Sequence, residues 1–129
     1  MSEAGKSPSP APSTPPEAAQ PLQASIADFQ KLAFRVGVIT AAQDHPNADR
    51  LLVVTVDIGD ATPRQLVAGI RGSYQAADLI GKHVVVVANL KSATLRGVES
   101  QGMILAASDG TSFVLVAPER PIKPGSTVK

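Results

Sequence analysis

The stretch from Val84 to Leu105, VVVVANLKSATLRGVESQGMIL, gathers side chains that could hold a phosphodiester ligand. Its apolar ends predict two core strands, and the residues between them are mostly polar. The polar and cationic side chains of interest are Asn89, Lys91, Arg96, Ser100 and Gln101. Lys and Arg contact phosphates, whereas Asn, Ser and Gln bond to sugar hydroxyls and base edges. These residue types fit an RNA-binding surface, but composition alone slightly favours an ordinary solvated loop between two strands.

A flexible residue and further cations accompany this stretch. Gly97 allows a tight bend next to Arg96. Arg35 and Arg64 would add to a positive face if the fold brought them close. The net charge of the chain is only +1, so any nucleic-acid site must be a local patch.

The aromatic content restricts the binding mode. The chain has one Tyr, three Phe and no Trp, whereas proteins that bind single strands stack successive bases on aromatic side chains. We assign Phe29, Phe34 and Phe113 to the core because they lie in apolar segments, and Tyr74 alone makes no platform. The expected ligand is therefore structured RNA, recognised by shape, phosphates and 2′-hydroxyls.

The sequence offers little for catalysis or metal binding. It contains no Cys, and His45 and His83 are the only histidines. Asp44, His45 and Asp49 could in principle hold a metal, but a turn around Pro46 explains the same residues. No phosphate-binding glycine loop and no nucleophile motif is present. We expect no enzyme activity, no metal and no cofactor.

The remaining pattern predicts a small all-β domain. Alternation and β-branched runs predict strands at residues 34–42, 51–58, 64–70, 82–90, 101–107 and 112–117. Ser25 and Asp28 predict the start of a helix over 25–32, and Ser73 and Gly81 bound another over 73–81. A hairpin is expected at 108–110. Three strands, a short helix and two more strands predict an OB-fold, a five-stranded Greek-key barrel with a short helix between strands 3 and 4.

The chain divides near residue 25. Residues 1–25 contain six of the 11 prolines and are otherwise rich in Ala and Ser, which predicts a disordered tail. Residues 26–129 form the expected barrel domain. No apolar run is long enough to cross a bilayer, and the lack of Cys fits a cytoplasmic protein.

Several segments resemble a known family, the tRNA-binding domain. The resemblance rests on IADFQKLAFRVGVI, HPNADRLLVVTVDIGD, RQLVAGI, GKHVVVVANLKSATLRGVESQGMILAA and IKPGSTVK, which together cover nearly all of residues 26–129. Such domains occur at the C-terminus of bacterial methionyl-tRNA synthetases, as free-standing tRNA-binding proteins and in EMAP II-like domains. The resemblance implies an OB-fold that binds structured tRNA without catalysis and assists an aminoacyl-tRNA synthetase.

The resemblance also implies which residues bind RNA and how the chain assembles. Carried over by position, the RNA-binding residues are Asn89, Lys91, Arg96, Ser100, Gln101, Met103, Lys31, Arg35 and Arg64, with Gly97 and Gly102 shaping the loop. The free-standing and bacterial forms are homodimers, so a homodimer is expected. The helix over 25–32 and the C-terminal segment 117–129, which should be extended without forming an element, could cover a partner subunit.

Two other functions remain open at this stage. A small dimeric export chaperone of the same fold would need an exposed apolar groove for unfolded peptides. The polar character of the 89–101 stretch favours RNA over this reading. A structural adaptor whose tail docks a synthetase is the third possibility.

Overall fold

The computed structural model describes residues 22–129, and the predicted tail lies outside the described residues except for positions 22–25. The helices are α1 (Ile26–Gln30) and α2 (Ala76–Leu79). The strands are β1 (Phe34–Asp44), β2 (Leu52–Asp57), β3 (Arg64–Ala68), β4 (His83–Val87), β5 (Ala93–Leu95), β6 (Val98–Ser100), β7 (Met103–Ile104), β8 (Ala106–Ser108), β9 (Phe113–Leu115) and β10 (Thr127–Val128).

One antiparallel sheet forms the body of the domain. Its strand order is β3-β2-β1-β4-β7, and β10 pairs with the start of β1. The 11-residue strand β1 pairs with β4 through its first half and with β2 through its second half. A bulge between Ile39 and Ala41 interrupts the pairing of β1 with β2, and a bulge bends a strand, as a small barrel requires. With α2 between β3 and β4, this arrangement confirms the predicted OB-fold.

The core is built from β-branched and aliphatic side chains of the central strands. Val54, Val56, Val84 and Val86 are fully buried, as expected for strands that alternate toward the barrel interior. Leu79 of α2 is also fully buried, so this short helix closes one end of the barrel.

The two helices begin differently. Ser25 and Asp28 form a reciprocal capping box at α1, as the sequence predicts. The second helix begins at Ala76, three residues after the predicted cap, because the Ser73 hydroxyl instead accepts the N–H of Phe113 at 2.8 Å. That bond ties α2 to the hairpin of β8 and β9.

Three segments differ from the sequence prediction. The predicted strand 101–107 is broken into β7 and β8, which belong to different sheets. The predicted loop between the strands expected at 82–90 and 101–107 contains a regular hairpin, β5–β6. At the C-terminus, β10 pairs with Phe34 and Arg35, so the prediction that this segment forms no element was wrong.

The core prediction for the phenylalanines was wrong for two of the three. Phe29 is 46% exposed and Phe113 is 42% exposed, because α1 and β9 lie on the outside of the barrel. Phe34 is partly buried and stacks on Phe29, with 5.3 Å between ring centroids. Within residues 22–129, no helix has the length and apolar character needed to cross a membrane.

Candidate nucleic-acid interface

The β5–β6 hairpin carries Arg96 and Gly97 as its two turn residues. Leu95 pairs with Val98, and both turn residues have positive φ, 52° for Arg96 and 89° for Gly97. A two-residue loop with positive φ at both positions is a type I′ turn, which matches the twist of the flanking strands. Gly97 therefore shapes the turn, and Arg96 occupies a conformation that non-glycine residues adopt at some cost.

Lys91 and Arg96 are the cations available at this hairpin. Both side chains are exposed, and neither forms an ion pair with any residue of the described range 22–129. Arg96 lies at the hairpin tip and Lys91 lies just before β5. Two exposed cations on one hairpin are suited to neutralising phosphates.

His45 fixes the position of the hairpin tip. Its ring is buried, with 3% exposure, and Nδ1 accepts the backbone N–H of Asn47 at 2.9 Å. Because Nδ1 accepts, Nε2 carries the proton and donates to the carbonyl oxygen of Leu95 at 2.9 Å. The side-chain amide of Asn47 also reaches the carbonyl oxygen of Arg96, at 3.5 Å. The turn between β1 and β2 thus supports the β5–β6 turn at Arg96 and Gly97.

Ser100 and Gln101 close the barrel. The Ser100 hydroxyl, in a residue that is 4% exposed, accepts the N–H of Val67 and donates to the carbonyl oxygen of Gly102, both at 3.0 Å. The Gln101 side chain accepts the N–H of Gln65 at 3.0 Å, and the Gln101 N–H donates to the Gln65 carbonyl at 2.8 Å. These bonds occupy backbone N–H groups on the outer edge of β3, so the side chains of Ser100 and Gln101 both have hydrogen-bond partners within the protein.

Asn89 and Gly102 also have structural roles. Asn89 accepts the N–H of Ala33 at 2.8 Å and donates to the carbonyl oxygen of Lys31 at 2.6 Å, which anchors the segment between α1 and β1. Gly102 has φ 142°, and a Cβ there would lie 2.9 Å from the carbonyl oxygen of Val87. Only glycine allows the chain to pass this close to β4.

The other predicted cations are paired. Lys31 lies 3.4 Å from a carboxylate oxygen of Asp28, and Arg35 lies 3.4 Å from one of Asp60. Arg64 lies 3.6 Å from the second oxygen of Asp60. It also donates to the carbonyl oxygens of Ala88 and, at 3.3 Å, of Gln101. Arg64 therefore links the end of β4 to the barrel closure, and each of these three cations has an acidic partner.

An apolar groove lies beside the hairpin. It has a volume of about 590 Å³, and its walls include Leu90, Lys91, Leu95, Met103, Ile104 and Phe113. Met103 is 47% exposed, so this predicted RNA-binding residue presents an apolar surface. Lys91 is the only charged residue on the groove walls within the described part of the chain.

Two of the three residues considered for a metal, Asp44 and His45, have other partners. Both ring nitrogens of His45 bond to backbone groups, and Asp44 pairs with Arg71 at 3.0 Å. Among the described residues, no group of three or more His, Cys, Asp or Glu side chains is close enough to hold a metal ion. These contacts support the alternative prediction, which is a turn around Pro46.

Sequence reasoning missed His45, Asn47 and Phe113 as parts of this site. The spacing HPN signals a turn, but only the folded chain places that turn against Leu95, which is 50 positions further on. The sequence does not predict the exposed position of Phe113, because an aromatic residue in a short apolar run predicts a core position.

A sequence profile named "Putative tRNA binding domain" matches residues 34–127, which include β1 to β9 and therefore the β5–β6 hairpin. The chain belongs to this family. Its match extends over the positions that build the barrel, the closure at Ser100 and Gln101, and the turn at Arg96.

Curated relatives and solved structures agree with this membership in the tRNA-binding domain family. The domain is 51% identical over 102 residues to the methionine–tRNA ligase of Thermococcus onnurineus, a match that covers 79% of this chain and 14% of that enzyme. It is similar in fold to a MetRS-related protein from Pyrococcus horikoshii, with a TM-score of 0.77, 28% identity and coverage of 84% of this chain and 99% of that one. It is also similar to the chaperone CsaA of Bacillus anthracis, with a TM-score of 0.76, 27% identity and coverage of 84% and 100%. The chain thus spans about a seventh of the ligases that it matches.

Proposed function

We propose that this domain binds tRNA through the β5–β6 hairpin and catalyses no reaction itself. The observation that carries the proposal is a pair of exposed cations, Lys91 and Arg96, on a hairpin of the tRNA-binding domain family, neither of which forms an ion pair with residues 22–129. In this proposal Lys91 and Arg96 contact the RNA backbone. Asn89, Ser100 and Gln101, whose side chains bond within the protein, set the shape of the surface.

The physical basis is electrostatic and geometric. A phosphate contact releases counterions, so two cations at the hairpin contribute to affinity without reading a sequence. The planar guanidinium of Arg96 can grip a phosphate or a guanine edge through two donors, whereas Lys91 acts as a point charge. The turn is rigid because His45 and Asn47 support it, so little ordering is needed on binding.

The proposed biological role of the domain is based on the extent of the match to the methionine–tRNA ligases. Since it spans about a seventh of the methionine–tRNA ligases that it matches, we propose that it serves as a non-catalytic appendage or partner of an aminoacyl-tRNA synthetase. By holding tRNA near the enzyme it would raise the effective concentration of the substrate. Such a role places the protein in the cytoplasm.

The test is tRNA affinity of a double variant, Lys91→Ala with Arg96→Asn. Asn tolerates positive φ, so this replacement at position 96 keeps the type I′ turn while removing the charge. The parent should bind tRNA, and the double variant should bind at least tenfold more weakly at an unchanged melting temperature. A control, Lys82→Ala, removes an exposed cation that lies away from the hairpin, at the start of β4. A folded double variant that binds tRNA like the parent would place the site elsewhere.

We further propose that the domain is a homodimer. An apolar surface formed by Ile26, Phe29 and Leu32 of the α1 region lies beside Phe34 and Val128. Within residues 22–129 no α1 residue is buried, and Ile26 and Phe29 remain 72% and 46% exposed, so the apolar side of the helix is only partly covered. Sedimentation should give twice the 13.3 kDa of one chain, and Phe29→Ser should yield the monomer. A parent that sediments as a monomer at micromolar concentration contradicts the dimer.

The export-chaperone alternative gains one observation, the apolar groove beside Lys91. It predicts that the chain suppresses aggregation of an unfolded protein with no measurable affinity for tRNA. A light-scattering assay run beside the tRNA titration separates the two functions. Strong suppression without tRNA binding would replace the first proposal with the second.

A further inference from the structure

The apolar groove lies next to both exposed cations of the hairpin region. Leu95 lines the groove and is followed directly by Arg96 at the turn, while Lys91 lies on the groove wall itself. A ligand that reaches both cations therefore passes over an apolar depression of about 590 Å³.

The groove walls restrict the chemistry of the occupant. No acidic side chain lines the groove, and its one charged residue within the described part of the chain is Lys91. The hydroxyl of Ser100, also on the wall, is already bonded to Val67 and Gly102. A ligand that binds tightly here therefore combines a flat apolar surface with a nearby negative charge.

Phe113 supplies one aromatic face. It is 42% exposed on β9, and its backbone N–H is held by the Ser73 hydroxyl. Met103, also exposed, lies on the wall of the same groove, and its thioether is polarisable and adapts to aromatic partners. One aromatic side chain is sufficient for one base and insufficient for a run of stacked bases.

We infer that this groove takes a single unstacked nucleobase of the bound RNA, which packs against Phe113 and Met103 while Lys91 contacts the adjoining phosphate. The inference rests on the proposed tRNA binding and deepens it. The domain would then recognise structured RNA by its backbone together with one unpaired nucleotide. An apolar peptide also fits the walls, but the cationic surroundings favour the polyanion.

The experiment uses the full chain and two RNA hairpins of the same stem, one blunt and one with an unpaired 3′ nucleotide, 2-aminopurine. We expect the hairpin with the unpaired nucleotide to bind about tenfold more tightly, in line with the value of one stacked base. We also expect the 2-aminopurine fluorescence to change on binding. Phe113→Leu and Met103→Ser should each reduce the preference and the fluorescence change.

The matched control is Val114→Ser, the neighbouring exposed residue of β9, which is not on the groove wall. It should retain the preference. Equal affinity for both hairpins, or a fluorescence change that survives Phe113→Leu and Met103→Ser, overturns the inference even while tRNA binding persists. Failure of the parent to bind tRNA at all removes the proposed function itself. Binding of an apolar peptide that is weakened by Phe113→Leu and Met103→Ser, with no binding of the unpaired nucleotide, would likewise overturn the inference in favour of a peptide site.

Discussion

The imidazole of His45 donates from Nε2 to the carbonyl oxygen of Leu95, 2.9 Å away and 50 positions along the chain. This bond joins the β1–β2 turn to the hairpin that carries Arg96. The position of a cation at the surface therefore depends on a ring that is itself buried.

Replacing His45 tests that dependence. We expect His45→Ala to lower the free energy of unfolding by about 1–3 kcal/mol, because the N–H of Asn47 and the carbonyl of Leu95 lose their partner. Affinity for tRNA should also fall, since the turn at Arg96 loses its support. Gln43→Ala, at an exposed site near the end of β1, is the control and should change neither quantity. Unchanged affinity in a destabilised His45→Ala protein would show that the turn holds its shape alone.

Salt dependence distinguishes phosphate contacts from other roles. A plot of log affinity against log salt should lose about 0.9 of slope for each phosphate contact removed. We therefore expect a shallower slope for Lys91→Ala and for Arg96→Asn, and the parent slope for Lys82→Ala. A weaker variant with the full parent slope would mean that the lost interaction was not with a phosphate.

Ser100 should matter for stability more than for direct RNA contact. Ser100→Ala leaves the buried N–H of Val67 without a partner and should cost about 1–3 kcal/mol of unfolding free energy. Well below its melting temperature, the variant should bind tRNA nearly as well as the parent. The exposed Ser92 provides the comparison, and Ser92→Ala should melt like the parent. Loss of binding in a fully folded Ser100→Ala protein would argue for contact with the RNA.

Gly102 and Gly72 allow the same substitution to be compared at a crowded position and at an open one. A Cβ at Gly102 would meet the carbonyl oxygen of Val87 at 2.9 Å with φ at 142°, whereas a Cβ at Gly72 meets nothing within 4 Å. Gly102→Ala should therefore destabilise the domain by about 1–3 kcal/mol through backbone strain. Gly72→Ala should be close to neutral, and denaturant unfolding measures both. Similar midpoints for the two variants would contradict the close approach of the chain to β4.

Asp109 makes the β8–β9 turn sensitive to acid. Its carboxylate accepts the N–H groups of Thr111 and Ser112, both at 2.9 Å, and these bonds lower its pKa from 3.8 to about 2. Because the folded pKa is depressed, the stabilisation is complete above pH 3.8 and is lost as the pH falls toward 2. The amide resonances of Thr111 and Ser112 should titrate with a midpoint near 2 and should not titrate there in Asp109→Asn. A midpoint near 3.8 would mean that the turn bonds are absent in solution.

Much of the barrel could be predicted from the sequence, because it depends on local patterns. Three local patterns each predict their element within a few residues. They are the Val-rich run at His83–Val87, the capping pair Ser25 and Asp28, and the turn after Ser108. These signals work because burial alternates along strands and because helix caps need specific side chains.

The roles of individual polar residues could not be predicted in the same way. Ser100 and Gln101 have the residue types of an RNA-binding surface, but they bond to the edge of β3, which is more than 30 positions away. A hydroxyl that meets RNA and a hydroxyl that meets a backbone N–H look alike in a sequence. Only the distance to Val67, set by the whole barrel, distinguishes them.

The closure of β3 by Ser100 and Gln101 also has a consequence for self-association. An open strand edge presents unpaired N–H and C=O groups to which another chain can add. With the N–H groups of Gln65 and Val67 already occupied, that edge offers no template for a further strand. The same two side chains that complete the fold therefore also block the addition of a further strand at this edge of β3.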